Sequence, residues 1–184
     1  MAEPMTVATD YLLAIAAIVF GVRLWRAGAR MWAVAFFATA AAAILGGTYH
    51  GWPALPLWKP AVYAVGIASL FLLAGLGRAF LLLAIVKFTV YAAWMAVHDD
   101  FRYVIYDYGL TLAILAIYAI AKIRDAGSRW VLASIGVSVI AAAVQQSGFA
   151  IHRHFNHNDL YHLMQIAALW LLYRGGVRRM SRPR

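Results

Sequence analysis

Apolar runs of about twenty residues recur along this chain from one end to the other, separated by short polar breaks. They lie near residues 10–26, 31–49, 60–77, 79–97, 103–122, 129–149 and 158–174. A helix needs roughly 20 such residues to cross a hydrocarbon core. Backbone groups in lipid must pair within their own segment, which makes helix the only sensible reading. The period-two alternation of a membrane barrel is missing. Composition agrees: 65% of the 184 residues are hydrophobic and 12% charged, against about 45–50% and about 25% in soluble domains. The chain therefore reads as all-α, a single seven-helix transmembrane bundle over residues 1–184.

The breaks carry helix-stopping chemistry. Arg26-Ala-Gly-Ala-Arg30 parts the first two runs, and Gly51-Trp-Pro-Ala-Leu-Pro56 the next two. Gly75 to Arg78 and Asp125 to Ser128 read as tight turns, with Asp125 or Ser128 a candidate cap for the sixth helix. The acidic start MAEPMTVATD lacks the basic region of a cleavable signal. With no cysteine there is neither a disulfide framework nor a thiolate metal site.

Lys and Arg set the expected orientation. Arg23, Arg26, Arg30, Arg78, Lys122, Arg124, Arg129, Arg174, Arg178, Arg179, Arg182 and Arg184 fall on one side. Only Lys59, Arg102 and Arg153 fall on the other. The positive-inside rule puts the N-terminus outside and the C-terminus in the cytoplasm. The net charge of +9 then reflects topology and anionic lipid, and no nucleic-acid partner is expected.

The stretch IHRHFNHNDLYH, residues 151–162, holds four of the six histidines. With the topology above, every histidine is near the outer face, as is every acidic residue except Asp125. His98, His152 and His154 read as solvated loop residues. His50, Asp107, Asp159 and His162 fall inside or at the edge of apolar helices, where ionisable groups are costly and usually functional. Asp159 and His162 are three apart and share a helical face. Thr39, Ala43, Gly46 and His50 make a stripe of mostly small residues, leaving room for a neighbour or a ligand. Lys87, Tyr91, Trp94 and His98 form a polar-aromatic face on the fourth helix. Helices two, four, five and seven can thus aim polar groups into one outward-opening cavity. Lys87 can pair with Asp107, bind a lipid phosphate or carboxylate, or snorkel.

Imidazoles and a carboxylate from different helices suggest zinc, whose bound water becomes a nucleophile near neutral pH. His50 and His162 are the first two expected ligands, with Asp159 or His157 the third. Asp99, Asp100 or Asp107 is the expected proton carrier.

A histidine ending the second helix in GGTYHGW, histidines opening the seventh in NHNDLYH, and the stretch TDYLLA give the chain a layout. It resembles the superfamily of alkaline ceramidases and adiponectin/progestin-type receptors, in a bacterial branch. The resemblance implies a seven-helix membrane hydrolase, or hydrolase-like receptor, of a bacterial inner membrane. It further implies zinc held by three histidines and hydrolysis of an amide in a lipid. His50 and His162 stand where that pattern has histidines. Gly46 stands where it has serine and Asn158 where it has the third histidine, and KPAVYAVG lacks its aspartate. The expected function is a metal-dependent hydrolase of a lipid amide or ester. The alternatives are a non-enzymatic receptor or membrane subunit with a polar pocket, and a haem electron carrier with His50 and His162 as axial ligands.

Overall fold

The computed structural model describes residues 2–152 and 155–180; Arg153, His154, Arg182 and Arg184 lie outside them. Among the described residues the chain forms seven α-helices and no strand: α1 (Pro4–Arg26), α2 (Arg30–Gly51), α3 (Trp58–Ala74), α4 (Arg78–Val97), α5 (Arg102–Ala121), α6 (Ser128–Ser147) and α7 (His157–Met180). Five of them, α1, α2, α4, α5 and α6, are long and apolar enough to cross a membrane.

The helices run beyond the apolar windows where end chemistry allows it. α1 starts at Pro4, six residues before its window, because proline suits the first helical position. α7 continues past its window to Met180, with Arg178 in its last turn, where a basic residue is favoured. The break after α1 turns at Gly28, whose φ of +82° excludes most side chains. α6 is preceded by Gly127 with no side-chain cap, so neither Asp125 nor Ser128 caps it.

Six helices close a ring. α1 packs on α2, α2 on α3, α3 on α5, α5 on α6, α6 on α7, and α7 returns to α1. α4 stands outside that ring, against α3 and more thinly against α5. Small residues permit the close approaches. A Cβ added at Gly21 would meet the Phe37 ring at 2.8 Å, and one at Gly66 would meet the Tyr91 ring at 2.4 Å. The outer surface stays apolar, with Leu82 71%, Val90 65% and Ile117 69% exposed, as lipid contact requires.

Short connections make successive helices antiparallel, so opposite charges collect at opposite ends. One end carries the start of α1 and α7 and the finish of α2 and α4, with every described histidine. There Lys59 of α3 pairs with Asp99 at 2.8 Å and donates to the His98 carbonyl at 2.8 Å and to the Met95 carbonyl, closing the C-terminus of α4. At the other end the Arg174 guanidinium lies 4.6 Å from the Trp130 ring centroid and 5.3 Å from that of Trp170.

Candidate functional site

The site is organised by the first helix. Glu3 and Asp10 are seven residues apart, two turns along one face. Each meets an imidazole from another helix. Glu3 Oε2 lies 3.2 Å from His50 Nδ1 of α2, and Asp10 Oδ1 lies 3.3 Å from His162 Nε2 of α7. The first pair is half-exposed, with side chains 45% and 34% accessible. The second is buried. Asp10 reaches its place because Gly47 has no side chain: a Cβ there would lie 2.7 Å from the Asp10 Cβ. Asp10 Oδ2 is fully buried and has no hydrogen-bond partner among the described residues.

The opening of α7 fixes His162 from behind. Asn156 Oδ1 accepts from the backbone N–H of Asn158 at 2.8 Å and of Asp159 at 3.4 Å. Asp159 Oδ2 in return accepts from the backbone N–H of Asn156 at 2.7 Å. This is a reciprocal capping box, with asparagine and aspartate in place of the commoner residues. The other oxygen, Asp159 Oδ1, lies 3.4 Å from the Thr9 hydroxyl, which lies 3.0 Å from His162 Nδ1. When Thr9 donates to Asp159 it accepts from Nδ1–H, and the contact between Nε2 and Asp10 then carries one shared proton.

This constellation borders a cavity of about 340 Å³ inside the six-helix ring, within the roughly 300–1,000 Å³ of ligand pockets. Asp10, His50, Gln145, Tyr161 and Gln165 supply its polar end. The rest is mainly apolar, with Leu13, Ala43, Val65, Leu112 and Leu169 in its walls. Gly46 also lines it, and a Cβ at Gly46 would meet nothing within 4 Å. Gly46 thus leaves room in the cavity while Gly47, one residue on, seats Asp10.

Of the expected site residues, the structure brings His50 and His162 to this end, each against a carboxylate at the start of the chain. Asp159 is buried beside them, occupied by the capping box and Thr9. His157 opens α7 half-buried and is not part of the cavity wall. The three expected proton carriers lie off the cavity wall, each against a cation. Asp99 pairs with Lys59. Asp100 pairs with Arg102 at 2.5 Å, and hydrogen bonds from the Arg102 side chain and backbone hold its carboxyl below the ordinary range. Asp107 pairs with the mid-membrane Lys87. The expected polar face of α4 is directed elsewhere: His98 stacks on Trp94 at 4.0 Å, and the Tyr91 hydroxyl donates to the Val62 carbonyl at 2.8 Å. α1, α3 and α6 border the cavity in place of α4.

The expected zinc ligands do not fit together. Among the described residues no group of three or more His, Cys, Asp or Glu is placed to hold a metal ion. Each of the two imidazoles faces a carboxylate of α1, and Asp159 caps its own helix.

Glu3, Thr9 and Asp10 escape a reading based on apolar windows, because they lie before or at the start of the first window. The signal present was Asp10 itself, a carboxylate opening an apolar helix, with Glu3 two turns before it. Comparison with known proteins adds one match: a family model described as a family of unknown function (DUF6962) fits residues 5–181. No curated protein and no solved structure matches the chain.

Proposed function

The chain belongs to this family, DUF6962, and we propose that it is a membrane-integral hydrolase of a lipid amide or ester. One observation carries the reading: two carboxylate–imidazole pairs stand at the polar end of a mainly apolar cavity, with Asp10 and His50 in its wall. An amphiphile matches that gradient, with its chain among the apolar walls and its reacting bond at Asp10 and His50. The segregation of arginines supports an orientation with the polar end outside and the basic end in the cytoplasm. The bacterial layout of the sequence supports a plasma-membrane location.

Glu3 holds His50 at Nδ1, which leaves Nε2 for a water at the polar end. His50 takes a proton from that water as its oxygen adds to the carbonyl carbon. The Asp10–His162 pair then gives its shared proton to the leaving amine or alcohol as the C–N or C–O bond breaks. His50 then passes its proton to solvent and the Asp10–His162 pair takes one back from solvent, which restores both groups. No step is routed through zinc: His50, His162 and Asp159 are each engaged by another residue, and no group of three metal-binding side chains is formed among the described residues. No observation favours a haem between His50 and His162, since His162 Nε2 faces Asp10.

The test is a panel of lipid amides and esters presented to the purified protein in nanodiscs. Wild type is expected to release product, and His50→Ala and Asp10→Asn to lose at least ~100-fold of the rate, the usual scale of acid–base catalysis. Saturable binding with no turnover of any panel member would reduce the protein to a receptor. Activity equal in all three proteins would remove the site.

A further inference from the structure

The cavity wall reaches the outer surface at more than one place. Besides its polar end, where Phe101 is 37% exposed, two wall residues deeper in the bundle also reach the outer surface. Gly109 of α5 lines the cavity and is exposed, and a Cβ there would meet nothing within 4 Å. Val139 of α6 lines the same cavity and is 59% exposed. A residue that borders an interior space and the outside at once marks a gap in the wall. At 1.5 Å per residue, Gly109 lies about 10 Å along α5 from Arg102 and Val139 about 12 Å along α6 from Ser147. Both are therefore at the same depth, inside the span that faces hydrocarbon.

The neighbouring joints are built differently. On its other side α5 is tied by polar contacts: Asp107 pairs with Lys87 of α4, and the Thr111 hydroxyl donates to Ser69 of α3 at 3.1 Å. On this side the cavity is lined by Ile105, Tyr108, Gly109 and Leu112 of α5 and by Ser138, Val139, Ala142 and Gln145 of α6. The two of these that reach the outer surface in mid-helix, Gly109 and Val139, present no polar side chain to an acyl chain.

We propose that Gly109 and Val139 frame a lateral portal between α5 and α6, through which the acyl chain of a membrane lipid slides from the bilayer into the cavity. The inference rests on the lipid-binding reading above. The polar end serves water and headgroup, and the side window serves the chain. A lipid using both never has to leave the membrane to reach Asp10 and His50.

The test uses a monoacylglycerol carrying a mid-chain diazirine. The probe is loaded either from a phosphatidylcholine nanodisc or during detergent solubilisation, then photolysed. Mass spectrometry reads the label on cavity-wall peptides of α1 and α2, opposite the window. In wild type both routes are expected to label the wall. Val139→Trp and Gly109→Trp are expected to slow loading from the nanodisc at least tenfold and to keep loading from detergent. Unchanged nanodisc loading in both variants overturns the portal and leaves the binding reading standing. Loss of both routes also overturns it, because the residues would then shape the cavity rather than its opening. Absence of wall label in wild type by either route contradicts the binding reading itself.

Discussion

Two places in this bundle bury a carboxylate of α1 or α5 against a nitrogen base, and they differ in everything around that contact. At Asp107 the partner is the Lys87 amine, on a helix outside the ring, and neither residue lines the cavity. At Asp10 the partner is an imidazole, whose ring nitrogen can share a proton with the carboxylate. A second carboxylate–imidazole pair stands beside it, and a cavity opens in front. Both aspartates keep one buried oxygen without a hydrogen-bond partner among the described residues. An orphan oxygen therefore does not by itself mark a reactive site. The partner's chemistry and the adjacent space distinguish a pin from a centre: the Lys87–Asp107 pair fastens α4 to the ring, and the Asp10–His162 pair stands at the cavity.

Substitutions can break this contrast in either direction. The largest effects are expected on rate. Asp10→Asn should lower turnover at least ~100-fold with little change in melting temperature, because asparagine fills the same space. Lys87→Met should do the reverse, since it strands a buried carboxylate, at about 3–5 kcal/mol. Thermal unfolding in detergent would show it, and Lys87→Met combined with Asp107→Leu should recover most of the loss. A smaller effect separates adjacent glycines. Gly47→Ala places a Cβ 2.7 Å from Asp10 and should cost about 1–3 kcal/mol by overpacking, together with activity. Gly46→Ala meets only open space and should leave stability within error. The smallest is Asn156→Ala, which removes the cap of α7 for about 1 kcal/mol. It should also loosen Asp159 behind His162, which a rise in hydrogen exchange at the start of α7 would report.

The fold was legible because seven apolar runs of membrane-spanning length leave little freedom. Helix number, their order and the turns at Gly75–Arg78 and Asp125–Ser128 all follow from that pattern. Packing order was not legible. No linear signal says that α4 leaves the ring, because each of its faces is apolar enough for lipid or for protein. The expected proton carriers Asp99, Asp100 and Asp107 sit on or next to α4 and α5 and are paired with basic residues there. His50 and His162 were legible as imidazoles at the edges of apolar helices. Asp159 shared their signature, yet its place three residues after Asn156 makes it a cap, and spacing alone does not separate a cap from a ligand. Lys87 was correctly matched with Asp107 as one of three open choices, since a buried cation needs a counter-charge. Glu3 and Asp10 were missed because a hydropathy window treats the first turns of a helix as flank.

The claim that most needs testing is that chemistry belongs to the Asp10–His162 region and not to the Lys87–Asp107 region. The direct measurement compares hydrolysis of one lipid amide or ester, chosen from the panel, by wild type, Asp10→Asn and the Lys87→Met/Asp107→Leu double variant, each shown to be folded. The account predicts near wild-type turnover in the double variant and loss of at least ~100-fold in Asp10→Asn. Full activity in Asp10→Asn, with activity lost in the folded double variant, would contradict it.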